Sequence, residues 1–196
     1  LRPELVTVMG GANLEGALAE PIQNFAWVDY VVSGEAEGCI SRFYELACEY
    51  GSDIPHPLLP PEVGCRGRRA ERGKVQEMDR LAYPDFSDCF DGLAAWPGLA
   101  EVRPALTLEG SRGCWWGQVK HCTFCGLNGS GMNYRAKSAP RLLEEIRVLT
   151  ERHQTRFVEM VDNIIAPKHL KELLPALVGQ DLRFFWEVKA NLKGAH

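Results

Sequence analysis

The chain has 196 residues, of which 45% are hydrophobic and 24% charged, and a net charge of −4 with no long block of one sign, a balance ordinary for a packed soluble protein. No apolar run reaches the ~18 residues of a membrane span, and no secretory signal opens the sequence. Seven cysteines, an odd number, argue against a disulfide framework. The expectation is a cytoplasmic protein whose partners include neither membrane nor nucleic acid.

Leu1 is not a methionine, and "LRPELVTVMGG" reads as the approach to a buried strand; "FFWEVKANLKGAH" stops just after another. Both ends read as cut from a longer chain. "LVTVMGG" is a short apolar β-prone run closing on Gly10 and Gly11, suited to a parallel strand entering a tight turn. "ANLEGALAEPIQNF" predicts a short helix limited by Pro21. "VDYVVSGE" predicts a second strand, and "AEGCISRFYELACEYG" a helix. There Ile40, Phe43, Leu46 and Ala47 recur at helical spacing, and Gly51 is a natural stop. Strand, helix, strand, helix over 1–51 is half of a doubly wound α/β domain.

From 52 to 103 the periodicity fades and prolines stand at 55, 57, 60, 61, 84 and 97, which predicts a linker between two domains. It includes "CRGRRAERGK", four arginines and a lysine with no aromatic residue to stack on bases. That is read as a solvated loop with a small hairpin, not a nucleic-acid site. "LAYPDFSDCFDGL" is read as an ordered strap, because Tyr83, Phe86 and Phe90 need burial. Cys39, Cys48, Cys65 and Cys89 are read as structural.

From 104 to 196 the sequence alternates again. "ALTLE" predicts a strand and "GSRGC" the turn beyond it. "SAPRLLEEIRVLTERH" predicts a helix with Ser138 as N-cap, Pro140 close behind, and a buried stripe of Leu142, Leu143, Ile146 and Leu149. "RFVEMVDN", "PKHLKELLPALVG" and "RFFWEVKAN" then predict strand, helix and strand. Repeated β/α units of this kind open a parallel barrel.

Three cysteines cluster in "SRGCWWGQVKHCTFCGLNG": Cys114, a gap of seven residues, Cys122, a gap of two, Cys125. A two-residue gap lets the chain curl round one metal centre, and three thiols on a β-to-α loop invite a metal. A structural zinc site normally closes with four protein ligands, whereas a [4Fe–4S] cubane held by three cysteines keeps one iron open. His121 adjoins Cys122, so a closed zinc site of Cys114, His121, Cys122 and Cys125 in a binding module stands as the alternative. Glycines at 110, 113, 117, 126, 129 and 131 let backbone approach a bulky cofactor. Trp115 and Trp116 read either as a shield or as loop anchors, and Arg112 either as a neutraliser of an anionic cluster or as a partner of Glu109.

The same stretch, followed by "MNYRAKS", "VDN" and "EVKANL", resembles the radical S-adenosylmethionine (SAM) enzymes that carry a cobalamin-binding domain ahead of the barrel. Within them it is similar to the C-methyltransferases that mature ribosomally made peptides. Their usual loop is Cys-x3-Cys-x2-Cys with an aromatic residue before the last cysteine; "CTFC" keeps the second half, and the first gap is longer. The resemblance implies the C-terminal part of a Rossmann-like cobalamin domain over 1–51, a linker over 52–103, and the first part of a TIM-type barrel over 104–196. In such enzymes Cys114, Cys122 and Cys125 would hold a [4Fe–4S] cluster and SAM would chelate the open iron. Phe124 and Gly126 would pack on the adenine, and Glu159, Asp162 and Asn163 would lie near SAM; Glu159 reads equally as facing the barrel wall, and Asp162 and Asn163 as caps of the next helix. Gly10, Gly11, Gly34 and Glu35 would border the cobalamin tail. Glu187, Lys189 and Asn191 would line the barrel. The implied substrate is a peptide, and the implied electron donor is a flavodoxin or ferredoxin. A cobalamin radical enzyme that does not methylate is the further alternative, and a chain of this length alone is expected to be inactive.

Overall fold

Short, largely apolar runs form the sheets. The computed structural model describes residues 5–11, 14, 24–99, 101–126 and 129–186, in two compact units, Leu1–Gln76 and Glu77–His196. In the first unit β1 (Val8–Met9) runs parallel to β2 (Tyr30–Val32), with Val8 opposite Tyr30 and Met9 opposite Val31. The helix expected between them falls mostly outside the described residues. α1 (Ile40–Tyr50) ends where Gly51 takes φ 62° and donates to the Ala47 carbonyl. Its Phe43 and Leu46 are buried against Tyr30 and Val32, and the Tyr30 and Phe43 rings meet edge-on at 5.1 Å.

A third strand, β3 (Val63–Gly64), lies antiparallel on the other side of β2. It arises within the proline-rich stretch because Leu59, Val63 and Cys65 join the same buried cluster as α1. The expected hairpin follows it: Cys65 and Arg68 exchange backbone hydrogen bonds of 3.0 and 2.9 Å. Not all of the basic loop is solvated. The Arg68 guanidinium turns inward and donates to the carbonyls of Leu59 and Pro60 at 3.1 Å each, and to that of Val63.

In the second unit the aromatic strap becomes α2 (Ser87–Ala95), and Tyr83, Phe86 and Phe90 pack against the core as their apolarity requires. β4 (Leu106–Leu108) follows, then a two-residue strand β5 (Ser111–Arg112), a short helix α3 (Trp115–Val119) and β6 (Arg135–Ala136), which pairs antiparallel with β5. α4 (Ala139–His153) starts as the sequence predicts: the Ser138 hydroxyl accepts the Arg141 N–H at 3.2 Å. β7 (Phe157–Met160) and β8 (Arg183–Trp186) complete a parallel sheet of order β4-β7-β8.

Alternation divides that sheet into two faces. Leu106, Leu108, Val158 and Met160 point to one side, where Leu142, Ile146 and Leu149 of α4 cover them. Each fully buried leucine contributes about 1.5–3 kcal/mol, so tertiary packing carries a helix of this length. The opposite face shows Thr107, Glu159 and Phe185, which are adjacent in register and exposed. The last expected helix is realised differently. A π-turn (His169–Leu173) precedes α5 (Leu174–Leu177), and the Leu174 N–H reaches back to the His169 carbonyl. Pro175 has no N–H for the Lys171 carbonyl, and the helix widens just before it. The whole is α/β, with parallel pairing in both units.

Candidate cofactor site

The chain leaving β4 passes over the carboxyl ends of the parallel strands, the end at which α/β folds place their ligands. Two glycines permit the turn. A Cβ at Gly110 would lie 2.8 Å from Leu142 Cδ2 and 3.1 Å from His169 Cε1. Gly113 has φ +80°, and a Cβ there would collide with the Asn133 carbonyl, whose carbon would be 2.7 Å away. The β5–β6 ladder sets Ser111 opposite Ala136 and Arg112 opposite Arg135, and the Cys114 N–H donates to the Met132 carbonyl at 3.1 Å. The segment between Cys114 and Met132 is therefore a loop with both ends pinned.

Cys114 caps α3, its Sγ accepting the Gly117 N–H at 3.2 Å. Trp115 is an anchor: its indole N–H donates to the Ile165 carbonyl at 3.0 Å. Arg112 forks onto Glu109, with Nε to Oε2 at 2.8 Å and Nη2 to Oε1 at 2.5 Å. At the far side of the loop the Cys125 N–H donates to the Cys122 carbonyl at 3.1 Å, the turn that a two-residue gap allows. Cys114, Cys122 and Cys125 are half-buried and unbridged, while Phe124 is 80% exposed and Gly126 is exposed.

The donor set suits thiolate-ligated iron: three free thiols, neither deeply buried nor bare, on one loop. Their positions define no single cage. Among the described residues no three or more His, Cys, Asp and Glu side chains form a group that could hold a metal ion. That applies equally to the closed set with His121.

The other expected site residues are distributed unevenly. Glu159 sits mid-strand on the helix-free face of the sheet, beside Thr107 and Phe185. Asp162 turns the other way. It is 7% exposed; the Gly110 N–H lies 3.1 Å from both of its oxygens, and the Ser111 hydroxyl donates to Oδ1 at 2.5 Å. Burial pushes its carboxyl up, against the hydrogen bonds from Ser111 and Gly110. Asn163 is exposed beside it. Glu187, Lys189 and Asn191 lie outside the described residues.

Two buried groups complete this end of the sheet. Among the described residues the Tyr134 hydroxyl has no hydrogen-bond partner of full geometry, the Ser111 hydroxyl being the polar group beside it; burial raises its phenol. His169 is fully buried, with Nε2 2.9 Å from the Lys137 carbonyl and Nδ1 without a partner among the described residues. A carbonyl can only accept, so Nε2 carries the proton. Burial holds the imidazole below its ordinary value, against its bond to Lys137. The sign follows: above about 6.5 His169 is neutral folded or unfolded, and below it the unfolded chain binds the proton first. The stability is therefore intact above about pH 6.5 and lost progressively as pH falls below that towards the lowered folded-state value. His169→Gln keeps a donor for the Lys137 carbonyl and removes the titration. Urea midpoints at pH 7 and 5.5 should differ less in the variant than in the wild type.

In the first unit Gly10 and Gly11 close β1 and are exposed; Gly11 has φ +102°, and its carbonyl accepts the Leu14 N–H at 2.9 Å. Gly34 and Glu35 are engaged by the end of the basic loop and the residue just beyond it. Gly34 (φ +78°) bridges Gly73, whose backbone a Cβ would strike. The Glu35 N–H donates to the Gly73 carbonyl at 3.0 Å, and its carboxylate accepts the Val75 N–H at 2.6 Å.

Two features escape a sequence reading. Cys65, there a structural thiol, lies 3.3 Å from His56 Nε2 at a cavity of about 480 Å³ bordered by Asp29, Tyr30, Asp53 and Arg66. Nothing in the local sequence pairs the two, because the contact depends on the β3 hairpin. Lys137 and Glu145 form a buried ion pair, at 3.0 and 2.8 Å to the two carboxylate oxygens. Its signal was present: Glu145 falls three residues after Leu142 and four before Leu149, on the buried stripe.

No family model matches the chain. It is 22% identical over 217 aligned positions to the anaerobic magnesium-protoporphyrin IX monomethyl ester cyclase of Rubrivivax gelatinosus. That alignment covers 98% of this chain and 35% of the relative, so the chain spans about a third of the length of the curated enzyme it matches.

Proposed function

We propose that the chain belongs to a cobalamin-associated radical SAM enzyme, with Cys114, Cys122 and Cys125 as ligands of a [4Fe–4S] cluster. The observation that carries this reading is the pinned three-thiol loop at the carboxyl end of a parallel β/α sheet. Similarity to a cyclase along nearly the whole chain supports it. On this reading the second unit opens a barrel, and its helix-free face is the barrel interior. Glu159 then offers a carboxylate to the SAM amino group, and the exposed Phe124 and the backbone at Gly126 receive the adenine. Asn163 stands at the rim. The first unit is the end of a cobalamin domain, with the exposed turn at Gly10 and Gly11 towards the corrinoid tail; Gly34 and Glu35 brace that edge through Gly73 and Val75.

A bound cluster and SAM supply one-electron reductive cleavage, with a flavodoxin or ferredoxin as electron donor, and cobalamin supplies methyl transfer. This chain's residues hold thiolates, orient SAM and exclude water through the Trp115 anchor. Two reactions are open to such a site. One is C-methylation of a ribosomally made peptide. The match to a named cyclase favours the other, a radical reaction on a different substrate without methyl transfer.

The test is anaerobic reconstitution of the full-length chain. About four irons per chain are expected for a cysteine-ligated cubane, with loss on Cys122→Ser, and 5′-deoxyadenosine released from SAM on reduction. Tightly bound zinc in a colourless protein would overturn the reading. A product heavier by one methylene separates methylation from the cyclase-like outcome.

A further inference from the structure

The geometry points to Asp162 as a positioning residue for the cysteine loop, fixing the root from which Cys114 is presented. This rests on the ligand role proposed above for Cys114. Asp162 follows the end of β7, yet its hydrogen-bond donors belong to the chain leaving the neighbouring strand β4: the Gly110 N–H and the Ser111 hydroxyl. Ser111 is the first residue of β5, three residues before Cys114. From there the path is short and fixed. Ser111 and Arg112 are held in the ladder with β6, Gly113 is packed against Asn133, and the Cys114 N–H is taken by Met132.

Two other roles fit worse. A contact with a cofactor needs an accessible carboxylate, and Asp162 is 7% exposed. A cap for the following helical turn needs donors from that turn, and the donors to Asp162 belong to 110 and 111 instead. A buried carboxylate is costly unless its oxygens are satisfied. Asparagine does not reproduce the arrangement. Its amide has one acceptor and one donor end, and the Gly110 N–H lies 3.1 Å from both oxygens, so the new NH2 would face another donor. The root must then shift, and Cys114 with it.

The experiment compares reconstituted full-length wild type, Asp162→Asn and Ser111→Ala, following iron loss to a chelator and the electron paramagnetic resonance signal of the reduced cluster. Groups that orient metal ligands from behind typically cost 10–100-fold in affinity when changed. Asp162→Asn is therefore expected to lose iron at least tenfold faster, with an altered signal, while its far-ultraviolet circular dichroism stays that of wild type. Ser111→Ala removes the hydroxyl's bond to Asp162, leaving that of the Gly110 N–H, together with its 3.2 Å contact to the Ile164 carbonyl, and is expected to move both readouts the same way by less. Wild-type iron loss and signal in Asp162→Asn would overturn the inference and leave the cluster reading standing. Should Asp162→Asn fail to fold, Ser111→Ala decides, and wild-type behaviour there is equally fatal. A wild-type chain that takes up no iron defeats the ligand role itself, and the inference with it.

Discussion

Glu145→Leu is expected to destabilise the second unit by about 3–5 kcal/mol, the usual cost of removing one partner of a buried ion pair. The Lys137 ammonium is 2% exposed and Glu145 1%. Lys137 Nζ lies 3.0 and 2.8 Å from the two carboxylate oxygens, and Arg141 Nη1 adds a third contact at 2.9 Å. Without the carboxylate, a cation remains in the core without its anion. Arg141 suffers less, because it also donates to the carbonyls of Asp79 and Leu81 and lies 4.1 Å over the Tyr83 ring. The double variant Lys137→Met, Glu145→Leu should recover most of the loss, since apolar replacement of a whole buried pair is often neutral or better. Urea denaturation measures both. A loss under about 1 kcal/mol in the single variant would show that Lys137 finds water or another acceptor.

Gly113→Ala carries the second large effect. Holding alanine at φ +80° costs about 1–3 kcal/mol in backbone strain alone. The new Cβ also meets the backbone carbonyl of Asn133, with the Met132 oxygen 2.9 Å away, and neither is a side chain that can swing aside. Something must open, and what opens is the β5–β6 ladder beside Cys114. Lower stability and poorer iron uptake are expected together. Gly126→Ala is the contrast: among the described residues a Cβ there has nothing within 4 Å, so its unfolding midpoint should barely move. Equal stability of the two variants would show that the loop root yields without cost.

These contrasts show what the sequence makes legible. Helices α1 and α4 were readable because their apolar residues recur at helical spacing and their ends carry Gly51 and Ser138. Strands β1, β2 and β4 were readable as short apolar runs closed by glycine, β7 and β8 from their place in the strand–helix alternation, and the thiol loop from its cysteine spacing. What depends on distant partners was not. β3 forms inside a proline-rich stretch because the cluster under α1 accepts Val63, and strand formation follows neighbours more than intrinsic preference. Asp162 was legible as the end of a strand, but not its buried hydrogen bonds, because Gly110 and Ser111 arrive from fifty residues earlier. Glu145 sat on the apolar stripe in plain view, but its partner Lys137 lies outside the helix.

The division of the second sheet into two faces has a consequence for divergence. Leu106, Leu108, Val158 and Met160 hold the architecture, while Thr107, Glu159 and Phe185 between them bury nothing beneath α4. Exposed positions of that kind tolerate replacement within about 0.5 kcal/mol. Replacement at Thr107 or Phe185 therefore leaves the even-numbered letters of these strands, and the scaffold they hold, untouched.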